Sequence, residues 1–277
     1  MNSIPEKIID FHVHLFPDDF FDAIWKFFKN DYGIDVVERL YAGKCVERLR
    51  QCNVGTIVYS NYAHKKGVAG ILNHWNTRFL DSTDDVYCFA AFHPDDEDAI
   101  AMARDIISHP KVLGFKLQLL VQGFYAFDER LFDLYELVIE NNKRILFHVG
   151  TGPVGNRYVG VTNFRKLLER YPDLPATVAH MGGFEFREFF DLLDDHKGLY
   201  LDTAYCFLPG PARMYKLGSG PIEKHKDRIL YGSDFPNIVF PREAKIDALA
   251  EMNLSEECYQ RIFQANGQHL IEEHTSG

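Results

Sequence analysis

Paired cysteines are missing from this sequence. Cys45, Cys52, Cys88, Cys206 and Cys258 are odd in number and include no CxxC pair, so free thiols in a reducing cytoplasm are the economical expectation. A surplus of positive charge is missing as well. The formal net charge is -10 and the isoelectric point about 5.6, with no basic cluster, which argues against a nucleic-acid partner. No apolar run is long enough to span a bilayer, and residues 1–7 carry no apolar signal segment, so no membrane partner is expected. Linkers, low-complexity tracts and internal repeats are absent, which leaves one domain over residues 1–277. No glycine-rich phosphate fingerprint follows any apolar run, and this weighs against a doubly wound open sheet.

What the chain does contain is eight apolar, β-rich runs: 8–15, 54–61, 86–94, 112–120, 144–150, 176–182, 199–205 and 229–235. Several are nearly continuous in apolar residues, as strands buried on both faces are. Between them lie stretches such as 130–142 and 163–171, where apolar residues recur at three- and four-residue spacings and predict helices. A helix after each of eight strands, at this length, predicts an α/β protein with a (β/α)8 TIM barrel. The first connection, residues 16–28, is dense in aromatic residues and reads as a helix capped near Pro17 and Asp18. It is expected to wall the pocket, to make a subunit contact in a homodimer, or both. Residues 241–273 read as helical and are expected to close the barrel from outside.

The active site of such a barrel lies at the carboxyl ends of the strands. The first run, Ile8-Ile9-Asp10-Phe11-His12-Val13-His14, ends in two histidines that share one face, about 6.6 Å apart along a strand. The fifth run carries His148, the sixth His180 and the eighth Asp234, each late in an apolar segment. A lone histidine there is more often a satisfied core residue. Five such residues converging on one end of a barrel are hard to explain as packing. A buried carboxylate needs a cation or several donors, and a metal held by His12, His14, His148 and Asp234 supplies one. Imidazole and carboxylate suit one zinc ion first, with manganese, iron, cobalt and nickel as alternatives.

At this point His12-x-His14, His148, His180 and Gly232-Ser233-Asp234-Phe235-Pro236 resemble the amidohydrolase superfamily of metal-dependent barrels. The resemblance is to the amidohydrolase-related branch that includes aminocarboxymuconate-semialdehyde decarboxylase and pyrone-dicarboxylate lactonase. It extends through Gly114-Phe115-Lys116-Leu117, Phe147-His148-Val149-Gly150 and Ala179-His180-Met181-Gly182-Gly183. It implies that His12, His14 and His148 are metal ligands and that Asp234 binds the metal or its water and shuttles the proton. It also implies that His180 orients the attacking water or polarises the substrate.

Lys116 corresponds to a position that is a carboxylated metal bridge in some amidohydrolases; an unmodified ammonium pairing with Asp234 or an acidic substrate is the expectation here. Where the family often has His-Pro after this lysine, Gln118-Leu119 stands instead, a departure that touches substrate choice. His93 after the third run and Arg157 in the glycine-rich loop 150–160 are further candidates for substrate binding, and Asp202 for supporting His180. Hydrolysis of a small amide, ester or lactone is the expected reaction. Non-oxidative decarboxylation of a small, often aromatic, carboxylic acid on the same ligands is the alternative.

Overall fold

In a computed structural model that describes residues 4–33 and 35–275, strands and helices alternate along the chain. The strands are β1 (Ile8–His14), β2 (Val54–Ser60), β3 (Val86–Ala91), β4 (Val112–Gln118), β5 (Arg144–His148), β6 (Ala176–Val178), β7 (Leu199–Asp202) and β8 (Ile229–Leu230). The helices are α1 (Asp18–Tyr32), α2 (Ala42–Gln51), α3 (Ala69–Asp81), α4 (Ala99–Ile107), α5 (Leu119–Gln122) and α6 (Phe132–Glu140). They continue with α7 (Val161–Arg170), α8 (Phe186–Asp195), α9 (Gly220–Lys224), α10 (Arg242–Ala250), α11 (Glu256–Gln260) and α12 (Asn266–Thr275). Residues 1–3, the start of the segment read as carrying no signal, lie outside the described residues. No described helix is long and apolar enough to cross a membrane.

All eight strands pair in parallel and in sequence order. Closure between β8 and β1 is made just past the end of β8, where Phe11 N–H donates to Tyr231 O at 2.8 Å, Asp234 N–H to His12 O at 2.8 Å and His14 N–H to Phe235 O at 2.8 Å. The protein is a (β/α)8 barrel. All eight expected runs form strands, but each strand stops one to five residues short of its run. Among the lost residues, His180, Met181, Tyr205 and Asp234 adopt positive φ and turn out of the ladder.

Two irregularities set which side chains enter the barrel. Asp10 is level with Ile57 and Val13 with Tyr59, so β1 carries one residue more than β2 across that stretch, a bulge. Ile9 and Phe11 pack in the inner apolar layer with Val58, Phe89 and Leu146, whereas Val13 packs in the outer one. The bulge thus lets Phe11 and His12 both face inwards and leaves Asp10 outside. On β4, Gly114 has φ +146°, and a Cβ there would collide with the Arg144 carbonyl, so glycine permits the close β4–β5 approach.

α1 begins after Pro17 with Asp18 and Asp19 in its first turn and ends at a left-handed Gly33 whose N–H bonds Phe28 O. Its Phe21 and Trp25 are buried and stacked at 5.2 Å. The C-terminal segment departs from expectation. Leu270 and Ile271 of α12 join the inner layer with Ile9, Phe11 and Leu230, so the last helix plugs the amino-terminal mouth of the barrel instead of cladding its side. Beside that plug, the fully buried Arg144 donates to the carbonyls of Ala176 and Gly198 and to His274 Nε2.

Candidate metal centre

At the opposite, carboxyl-terminal mouth, the rings of His14, His12, His180 and His148 follow one another at centroid separations of 5.0, 5.3 and 4.8 Å. All four are buried. β1 supplies two of them directly because of its bulge. His148 ends β5. His180 lies beyond the end of β6, on a turn of four consecutive residues with positive φ. That turn needs Gly182: φ is +79° and a Cβ would run into the Phe189 ring.

Hydrogen bonding fixes which ring nitrogens are free. Asp202, at the end of β7, takes His12 Nδ1–H on Oδ2 at 2.7 Å. A carboxylate can only accept, so the His12 proton is on Nδ1 and Nε2 presents a lone pair. Asp202 Oδ1 accepts the backbone N–H of His180 at 2.9 Å and of Ala204 at 3.0 Å. Asp202 therefore serves the ring of His12 and the main chain of His180, where support of His180 alone was expected. His180 Nδ1 donates to Ala204 O at 2.9 Å, which turns its Nε2 towards His148 Nδ1, 3.2 Å away. His14 Nδ1 faces Ser60 Oγ at 3.3 Å. Gln118 lies against His148 Nδ1, and a half-turn of its amide brings an otherwise unpartnered Oε1 to that ring.

Three ligand atoms then converge within 4.8 Å: the Nε2 atoms of His12 and His14 and a carboxylate oxygen of Asp234. Asp234 Oδ1 is 3.4 Å from the first and 3.3 Å from the second, yet it forms no hydrogen bond with either. Two imidazole nitrogens 3.2 Å apart and a carboxylate oxygen without a hydrogen-bond partner crowd one buried point, and a cation between them would satisfy all three. The donor set, two imidazoles and a carboxylate, fits a divalent metal. His148 stands outside this tight trio, and its Nε2 has no hydrogen-bond partner among the described residues. It is the free donor available as a fourth ligand.

Burial pushes His12, His148 and His180 towards the neutral form, which is the form that ligates. Burial alone would raise Asp234, but His14 beside it, with His12 and His180, holds it well below the usual carboxylate range. In this coupled group the carboxylate is the member that stays charged. Burial likewise opposes ionisation of Asp202, and His12 and His180 outweigh it.

The remaining candidates separate. Lys116 is fully buried; its Nζ has no hydrogen-bond partner among the described residues, so it makes no ion pair with Asp234, and it does not line the cavity. Burial pushes its ammonium down to about 8, against the pull of Asp202 and Asp234. His93 accepts Asp95 N–H at 3.2 Å and packs on Phe124, a local turn contact away from the cavity. Arg157 lies on the surface over the Tyr158 ring, to whose hydroxyl it donates. Neither joins the site. Gln118 does line the cavity, so the sequence departure next to Lys116 falls where substrate would lie.

The cavity at the cluster holds about 90 Å³. Tyr205 and Asn237 line it, and sequence reasoning missed both; their closeness to Asp202 and Asp234 along the chain was the available signal.

Comparisons with known proteins agree with this geometry. The family model described as Amidohydrolase matches residues 9–270. A comparison with curated proteins finds no match. Among solved structures, an uncharacterized TIM-barrel protein from Bordetella bronchiseptica is similar at TM-score 0.74 and 16% identity, covering 97% of this chain and 99% of its own. The 5-carboxyvanillate decarboxylase of Novosphingobium aromaticivorans, complexed with manganese and 4-hydroxy-3-methoxy-5-nitrobenzoic acid, gives 0.70 and 12%, covering 98% and 97%. A putative 2-pyrone-4,6-dicarboxylic acid hydrolase from Pseudomonas putida gives 0.65 and 16%, covering 97% and 98%. At these identities the likenesses show the fold.

Proposed function

The chain belongs to the amidohydrolase family, and from that premise we propose that it is a metal-dependent hydrolase of a small amide, ester or lactone. The observation that carries this reading is the trio of buried ligand atoms, His12 Nε2, His14 Nε2 and an Asp234 Oδ1 without a hydrogen-bond partner, at the floor of a cavity. His12, His14, His148 and Asp234 would hold one divalent ion, zinc by preference. When bound, such an ion supplies Lewis-acid polarisation of a carbonyl and lowers the pKa of water.

The rest is the work of the chain. Asp234 is ionised and beside the reacting position, so it takes the proton of the attacking water and returns it to the leaving group. His180 is fixed through Nδ1 on Ala204 O and offers Nε2 as the acceptor that orients the water. Asp202 keeps His12 in the ligating tautomer. No arginine or lysine lines the cavity among the described residues, which suits an uncharged acyl group.

Decarboxylation of a small aromatic acid is the second reading. The aromatic walls Phe28, Tyr62 and Tyr205 favour it, as does the fold shared with a decarboxylase complexed with a nitrobenzoic acid. There Asp234 would first take a proton from a substrate hydroxyl or a water and then deliver it to the carbon that loses carbon dioxide.

The test starts with metal content. About one equivalent per chain, lost in His12→Ala, supports the reading, and none after reconstitution sinks it. Turnover in ¹⁸O-water then separates the reactions. Hydrolysis places the label in the released acid, whereas decarboxylation evolves carbon dioxide without net water uptake. Near-normal turnover of Asp234→Asn or His180→Asn would overturn the proton-transfer scheme.

A further inference from the structure

A second cavity, of about 230 Å³, adjoins the histidine cavity, and the two share Phe28, Tyr62 and Val121 as walls. Its far side is one stripe of α1: Phe20, Ala23, Ile24 and Phe27, at the three- and four-residue spacings of a single helix face. α1 is thus apolar on two faces. Phe21 and Trp25 are buried in the core, whereas the second stripe, with Phe20 and Ile24 only partly buried against that core, lines the chamber. The junction between the cavities is aromatic. The His14 ring lies 6.3 Å from Phe16, stacked, and 6.3 Å from Tyr62, edge-on, while Phe16 and Tyr62 meet at 5.7 Å. Beyond this junction lies a chamber whose lining among the described residues is apolar except for Tyr62 and His64.

We propose that this chamber is the subsite for an uncharged apolar arm of the substrate, an alkyl or aryl group of at least benzene size next to the reacting carbonyl. Size and chemistry both support it. An apolar cavity of about 150 Å³ is enough to take up benzene. A charged arm would be desolvated here without a partner, because the chamber offers neither arginine, lysine nor carboxylate among the described residues. The narrow inner cavity accommodates the reacting group and little else, so selectivity falls to the arm. The inference rests on the metal-hydrolase reading only for which end of the substrate reacts.

The test is calorimetry of straight-chain hydroxamates, from acetohydroxamate to hexanohydroxamate, on zinc-loaded protein, with hexanol on metal-free protein as the probe of the chamber alone. Each added methylene is expected to tighten binding about fourfold until the chamber fills. A terminal carboxylate on the longest probe should abolish the gain. Ala23 is exposed, so Ala23→Phe can fill the chamber without disturbing the core. It should weaken hexanohydroxamate and hexanol at least tenfold while acetohydroxamate keeps its affinity.

Metal-dependent binding of acetohydroxamate with no chain-length gain overturns the chamber and leaves the metal reading standing. Hexanol binding that Ala23→Phe abolishes, with no hydroxamate bound at any length, upholds the chamber and overturns the metal reading. A second copy of the chain covering this face would give a dimer that Ala23→Phe dissociates, without chain-length dependence. That result also overturns the assignment.

Discussion

Replacing Asp202 by asparagine changes one oxygen to an amide nitrogen and should loosen the metal site without touching a proposed ligand. Asp202 Oδ1 accepts two backbone N–H groups, from His180 at 2.9 Å and Ala204 at 3.0 Å. The asparagine oxygen must stay there, because an NH₂ group would leave two buried donors facing a third. Its NH₂ then meets His12 Nδ1, which in the native chain donates to Oδ2 at 2.7 Å. Two donors cannot face each other, so the His12 proton moves to Nε2, the atom 3.2 Å from His14 Nε2 and 3.4 Å from Asp234 Oδ1. The lone pair that would bind metal is lost, and regaining it means breaking a buried hydrogen bond. That bond joins two neutral groups, and leaving its buried donor unsatisfied costs about 1–3 kcal/mol. Loss of a residue that orients a ligand typically weakens metal binding 10–100-fold, which is about 1.4–2.8 kcal/mol. Competition with a chromogenic zinc chelator measures that affinity, and circular dichroism confirms that the variant is folded. A folded Asp202→Asn variant whose zinc affinity stays within twofold of the native value would refute the assignment of tautomer and role together.

Two predictions concern stability. His274 in the barrel plug donates Nδ1–H to Asn142 O at 2.6 Å and accepts Arg144 on Nε2, an arrangement only the neutral ring can make. Burial, then the Arg144 charge, pushes its pKa down to about 3, below the unfolded value near 6.5. The unfolded chain therefore binds this proton first, and the stabilisation, complete above about pH 6.5, is lost as pH falls towards 3, with a limiting slope of about 1.4 kcal/mol per pH unit. His274→Gln should flatten the urea midpoint between pH 7 and pH 4 by that one-proton contribution; equal profiles would count against it. Outside the barrel wall, Asp10 is fully buried, with Arg242 Nε 3.7 Å from its carboxylate, and it accepts Ser233 N–H at 2.9 Å. Arg242→Met leaves that charge without its guanidinium and should cost about 3–5 kcal/mol in denaturant unfolding, most of it recovered by adding Asp10→Asn. A single-variant cost under about 1 kcal/mol would show that Lys245, which donates to the Ser233 carbonyl, suffices as the counter-charge.

Much of the site was legible because its signal is local. A polar residue at the end of an apolar run is costly wherever the run is buried, so His12, His14, His148, His180 and Asp234 stood out one by one. The barrel arranged their meeting because all parallel strands of a closed sheet end at the same mouth. Lys116 and His93 met the same local criterion, yet neither they nor Arg157 of the 150–160 loop line the cavity, since nothing near them in sequence tells whether a side chain points at the cavity, at a neighbouring turn or at solvent.

The sequence by itself determined eight buried strands, the intervening helices and an apolar α1, because hydrophobic periodicity needs only a few residues and one dominant free energy, that of burial. The tertiary structure alone decided which faces those periods serve. The extra residue in β1 is visible only against the register of β2, and it puts His12 inside. Asp202 reaches His12 across 190 residues, the C-terminal helix becomes a plug, and the second stripe of α1, only partly buried, lines a chamber. Each depends on contacts between segments far apart in the chain, whose geometry is set by closure of the whole barrel and not by the composition of any one segment.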